Sequence, residues 1–251
     1  MPFLQEGFIN ISNPDEAVSN IANRVLAGDG FSFFTMNLDH LCKLKRFKSF
    51  RRLYSKATFV SADGWPVAFL AGKGERPIVR TTGADLIFPV CELAARSNFD
   101  VFLFGSSQEV LDHSSKMLSA RYAGLNIVGK ISPPPRFDPQ SDFARQSAEA
   151  IAASGAHLCF VALGAPTQEA FSEFAKDFAP QTGFLCVGAA LDFIAGTQRR
   201  APLILRRLGL EWAWRCALSP RRLARRYMQC IVVLTEIVLF RLRHWQLNTQ
   251  N

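Results

Sequence analysis

Short β-branched and aromatic runs alternate along this chain with longer segments whose apolar residues recur at helical period. Phe31–Phe34, Ala57–Ser61, Asp100–Phe104, Asn126–Ile131, His157–Leu163 and Phe184–Val187 read as strands. Gly83–Ser97, Gln108–Tyr122, Ser141–Ser154 and Gln168–Phe178 read as helices. Repeated alternation of this kind predicts a largely parallel sheet covered on both faces. The expected fold is therefore α/β: a Rossmann-like, mostly parallel sheet with helices on both faces. It would span residues 1–195 and be followed by a basic helical appendage over residues 196–251.

Composition supports a folded chain, with 49% apolar and 20% charged residues over 251 positions. Charge changes the picture more, because the net +8 is unevenly placed. From Arg199 onward there are 11 arginines, no lysine and only two acids, Glu211 and Glu236. The body is thus nearly neutral and the appendage carries the basicity. Arginine to the exclusion of lysine favours bidentate recognition of phosphate or carboxylate, so a polyanion or an anionic membrane surface is the implied partner.

The run Cys230–Phe240 is interrupted by Glu236 and is too short to span a bilayer. With Arg241, Arg243, His244 and Trp245 behind it, it suits a helix lying at a headgroup layer, or one packed on the core or on another subunit. A second basic stretch, Lys43–Lys56, holds seven cations and no acid and reads as a solvated helix face, or, beside the proposed site, as a surface that could meet a lipid diphosphate. The six cysteines show neither C-x-x-C pairing nor zinc spacing, which suits buried thiols in a reducing cytosol. No secretory signal is read at the N-terminus.

In open α/β sheets ligands bind beyond the carboxyl ends of the strands. Here those ends carry TMNLDH (Thr35–His40), ADGWP (Ala62–Pro66), GSS (Gly105–Ser107), GAPTQE (Gly164–Glu169) and GAALDF (Gly188–Phe193). Asp63 is the candidate general base, with an Asp-Gly turn as the alternative. Thr35 and Asn37 are candidates to orient a substrate, or else to form an ST-turn or helix N-cap. Gln168 and Glu169 open a helix behind Pro166, where Gln168 could bind a nucleotide or only help to start the helix. Arg80 and the amides near Gly83 could meet phosphate, or Thr82 could simply cap a helix with Asp85 in its first turn. Gly105, Gly164, Gly188 and Asp192 complete the candidate substrate-binding rim.

What is missing also discriminates. There is no G-x-x-x-x-G-K-[ST], and no G-x-G-x-x-G follows a strand, so a P-loop enzyme or a nicotinamide-dependent oxidoreductase lacks its fingerprint. No Asp-x-Asp or Asp-x-Glu occurs to hold a divalent metal on a nucleotide diphosphate. The arginine-rich appendage could neutralise that diphosphate instead. A nucleic-acid-binding protein would account for the basic tail but not for the polar rim around Asp63.

The succession TMN, ADGWP, RTTGADL, LGAPTQE, DFIAGTQRRAP, LEWAWR and SPRRLARRY resembles the WecG/TagA/CpsF glycosyltransferases, glycosyltransferase family 26, over nearly the whole chain. The chain departs from that family at Thr167, where lysine is frequent, and at Ala189–Leu191, where a glycine-rich turn is usual. The resemblance implies an inverting transferase that needs neither metal nor cofactor. It would move a hexose or N-acetylhexosamine from a UDP-sugar to a polyprenyl-diphosphate-linked sugar on the cytoplasmic face of a bacterial membrane. It further implies Asp63 as base, with Thr35 and Asn37 in the same pocket and Gln168 in the nucleotide-sugar site. Arg215, Arg222 and Arg225 would be brought to the diphosphate by the appendage. No nucleic-acid partner is expected; the oligomeric state, the donor sugar and the acceptor sugar stay open.

Overall fold

The structure is a computed structural model that describes residues 7–72, 77–207, 210–218, 220–221 and 228–237, without the side chains of Arg207 and Arg215. The elements run α1 (Pro14–Leu26), β1 (Phe31–Met36), α2 (Leu38–Arg46), α3 (Lys48–Lys56), β2 (Phe59–Ala62) and α4 (Trp65–Ala71). They continue with α5 (Gly83–Ser97), β3 (Val101–Gly105), α6 (Gln108–Arg121), β4 (Ile127–Ile131), α7 (Asp142–Ala153) and β5 (Leu158–Ala162). Last come α8 (Thr167–Ala175), β6 (Gly183–Cys186), α9 (Ala190–Ala195), α10 (Leu203–Arg207) and α11 (Glu211–Leu218).

All six expected strands form, and they make one sheet in the order β2-β1-β6-β5-β3-β4. Every pairing is parallel. The four expected helices are α5, α6, α7 and α8. The fold is Rossmann-like α/β, as the alternation of periods predicts.

Strand alternation splits the core into two layers. Val101 and Leu103 of β3, with Leu158 and Phe160 of β5, meet Ile21, Leu86, Val90 and Leu111 from α1, α5 and α6. Phe102, Phe104, Cys159 and Val161 point the other way, onto Ala148 of α7 and Phe171 of α8. On that same side Phe34, Met36 and Val60 pack with Leu44, Phe50, Tyr54 and Val67.

The Lys43–Lys56 stretch is two helices rather than one, broken at Phe47, whose backbone is extended (φ −118°, ψ 113°). The break turns Leu41 and Leu44 of α2, and Phe50 and Tyr54 of α3, onto one buried surface. Its cations stay outside or find partners: Lys43 pairs with Asp39, and Lys45 pairs with Glu236.

Residues 228–237 are helical and pack Cys230, Val233 and Ile237 against this layer, while Met228, Ile231 and Val232 face outward. Cys230 Sγ lies 3.8 Å from Cys42 Sγ of α2. Among the described residues no helix is long and apolar enough to cross a membrane.

Candidate active site

The carboxyl ends of the strands gather most of the rim residues expected from sequence. Thr35 stands opposite Ser61 near the ends of β1 and β2, and is 5% exposed. Beyond the last paired residues, the Asp63 amide donates to the Met36 carbonyl at 2.7 Å, which seats Asp63 directly after β2. The Asp63 side chain is half-buried. Gly64 follows at φ +107°, a conformation that glycine adopts without a Cβ clash, and turns the chain at once into α4. Trp65 and Phe69 of α4 stack on each other at 5.2 Å and remain exposed beside this corner.

Asn37 caps α2, its side-chain oxygen accepting from the His40 amide at 3.1 Å. The capping role considered from sequence is therefore real, and it fixes the side chain two residues past Thr35.

The segment carrying Arg80 is stitched along β2. The Thr81 amide donates to the Ala62 carbonyl at 2.8 Å, and Ser61 Oγ donates to the Thr81 carbonyl at 2.8 Å. Arg80 thereby arrives beside the strand end that carries Asp63. Thr82 caps α5 and donates its hydroxyl to Asp85 at 2.8 Å. Asp85 also accepts from Arg80 Nη2 at 2.9 Å and from Arg200 Nη2 at 2.7 Å.

Glu211 on α11 approaches both guanidinium groups, at 3.9 and 3.7 Å. Burial alone would raise the Asp85 carboxyl; Arg200, the Thr82 hydroxyl and Arg80 together hold it below its ordinary value. This cluster ties Arg200 and α11 to the first turn of α5.

Farther along the rim, Gly105 ends β3 at φ +115°, where a Cβ would fall 2.4 Å from the Ala162 carbonyl oxygen. Ser106 Oγ donates to Asp192 at 3.4 Å, bringing the ends of β3 and α9 together. The Gly164 carbonyl accepts from the Thr167 and Gln168 amides at 2.9 and 3.3 Å and starts α8.

Gln168 is 4% exposed and uses both ends of its amide: Nε2 donates to Glu169 at 2.8 Å, and Oε1 accepts from the Gly188 amide at 3.2 Å. Gly188 itself faces open space, with φ +56°. Glu169 is 0% exposed, and burial pushes its carboxyl up to about 7.

Three groups important to this geometry were not expected from sequence: His40, Tyr54 and Arg200. His40 Nδ1 lies 2.6 Å from the Tyr54 hydroxyl, and both side chains are buried. Their signal was helical spacing, since His40 shares a face with Leu44, and Tyr54 with Phe50. Arg215 lies one turn after Glu211 on α11, with its side chain outside the described residues. Arg222 and Arg225 also lie outside them. Among the described residues no three His, Cys, Asp or Glu side chains gather as metal ligands.

A parallel sheet whose carboxyl rim collects a carboxylate, capped helix starts and turns open to solvent defines a Rossmann-like domain, a class in which ligands bind beyond that rim. The chain matches the Glycosyl transferase WecG/TagA/CpsF family over residues 4–247 and belongs to that family. It is thus a glycosyltransferase of cell-surface polysaccharide synthesis, which requires a sugar donor and an acceptor.

Proposed function

We propose that this protein is an inverting, metal-independent transferase. It moves a hexose or N-acetylhexosamine from a UDP-sugar to a polyprenyl-diphosphate-linked sugar at the cytoplasmic face of a bacterial membrane. Residues 1–195 form the catalytic core, and residues 196–251 form an appendage that closes over the site and meets anionic lipid.

Asp63 takes the proton from the acceptor hydroxyl as that oxygen bonds to the anomeric carbon on the face opposite UDP. The bond from that carbon to UDP breaks, and the leaving diphosphate takes the electron pair. Thr35 and Asn37 orient the sugars beside Asp63. Gly105, Gly164, Gly188, Gln168 and Asp192 shape the donor side, with Glu169 behind Gln168. Arg80 and the appendage arginines Arg215, Arg222 and Arg225 offset the developing negative charge, a task for which a permanently charged guanidinium is suited.

The observation that carries this reading is the seat of Asp63. It is a half-buried carboxylate just past β2, beside the helix-capping Asn37 and the segment bearing Arg80. The test is UDP release from a panel of UDP-sugars with a synthetic polyprenyl-diphosphate-linked sugar in anionic vesicles. One donor is expected to react only when acceptor is present. Failure of every UDP-sugar in the panel would contradict the donor class.

A further inference from the structure

Beneath the rim runs a chain of buried polar groups. The Tyr54 hydroxyl of α3 meets His40 Nδ1 of α2 at 2.6 Å, and His40 Nε2 lies 3.9 Å from Glu169 Oε1 of α8. Glu169 Oε1 accepts from Gln168, which in turn holds the Gly188 amide. At the other end the His40 amide holds the Asn37 side chain. Two sets of hydrogen bonds, facing each other across the 3.9 Å between His40 and Glu169, therefore link the loop after β1 to the turn after β6, both at the carboxyl rim of the sheet.

Such a set of buried polar groups is expensive as packing. Tyr54, His40, Gln168 and Glu169 are each no more than 4% exposed, and Glu169 Oε2 is buried without a hydrogen-bond partner. Apolar side chains of similar volume would fill the space without that desolvation cost. With the proton on Nε2, which faces Glu169 at 3.9 Å, Nδ1 is left to accept from the Tyr54 hydroxyl.

We propose that Glu169 and His40 are positioning residues, acting through Gln168 and Asn37 to hold the Gly188 turn and the β1 loop at one spacing across the donor crevice. The inference rests on the nucleotide-sugar reading of that crevice.

The charged and titratable groups around Glu169 are His40, Lys43 and Asp39 from α2, Tyr54 from α3 and Cys186 from β6, with Asp63 acting on Tyr54 from the end of β2. Burial holds the Glu169 carboxyl at about 7, so its charge changes in the range where turnover is measured. The ionised form accepts more strongly from Gln168 than the neutral acid does, and it attracts the His40 ring across 3.9 Å. Donor KM should therefore fall as pH rises through that value.

The experiment compares donor KM and kcat from about pH 5.5 to about pH 9 in wild type and Glu169→Gln, using the UDP-sugar that wild type turns over. The variant is expected to lose the pH step and to show a KM about tenfold above wild type at high pH, with kcat within about threefold. A variant that keeps both the wild-type KM and the step overturns the proposal.

His40→Gln, which can still accept from Tyr54 and present an N–H toward Glu169, should stay within about threefold of wild type, whereas His40→Leu should not. Equal KM values for these two also count against it. Should wild type release UDP from no donor, the donor reading fails, but amide hydrogen exchange at residues 186–190 still decides the inference. Faster exchange in Glu169→Gln supports it, and unchanged exchange overturns it.

Discussion

Asp85 at the seam between α5 and α11, and Glu169 on the floor beneath the rim, are both carboxyls taken partly or wholly out of water, yet they move in opposite directions. Asp85 has two guanidinium groups and a hydroxyl aimed at it and is held below its ordinary value. Glu169 is fully enclosed, with a neutral amide as its nearest donor, and is pushed up to about 7. Burial raises both; the supply of fixed positive charge decides the outcome. The seam is thus an electrostatic joint that salt and acid can loosen. The floor is a joint made by exclusion of water, and it costs stability whenever it carries charge.

Three measurements sharpen or break this contrast. The largest effect belongs to the floor. A carboxyl raised from its ordinary 4.5 to about 7 binds its proton more tightly in the folded state, so stability falls as pH rises between those values and is level above them. Relative to Glu169→Gln, wild type should lose up to about 3 kcal/mol across that window, roughly 8 °C in Tm. Parallel pH curves for the two proteins would mean that Glu169 is not enclosed as described.

A smaller effect is expected at the seam. The Asp85 side chain is 37% exposed, so screening limits its contribution; Asp85→Asn should cost about 1 kcal/mol at neutral pH. Because the folded value is lowered, that contribution is present above its ordinary 3.8 and is lost as pH falls through the folded value. It should also shrink in about 1 M salt, which the floor variant should not share. Smallest of all, Lys45→Ala removes a surface pair with Glu236 whose partners are 40% and 39% exposed. It should shift stability by less than about 0.5 kcal/mol in thermal unfolding.

Period and punctuation made the sheet legible. All six strands and α5 to α8 fall where alternation and caps put them, because parallel strands buried on both faces read as apolar runs. The rim was legible for the same reason, since strand ends place Asp63, Gly105, Gly164 and Gly188 at one edge whatever their neighbours are.

Other features depended on three-dimensional packing. The break at Phe47 is not marked by glycine or proline, so the basic stretch reads as one helix when cations alone are counted. Glu169 reads as a rim residue from its place behind Pro166, but its enclosure depends on α2, α3 and α8 packing against one another. Arg200 reads as tail charge, and only the fold brings it 2.7 Å from Asp85, a residue 115 positions earlier.

The central claim is that Asp63 is the base in sugar transfer, and Asp63→Asn tests it most directly because the amide keeps the shape and removes the proton acceptor. Single-turnover UDP release, measured with donor and lipid-linked acceptor both saturating, should fall by about 10³-fold in this variant, with donor affinity and Tm close to wild type. Release within about threefold of wild type, at equal donor occupancy, would contradict the account.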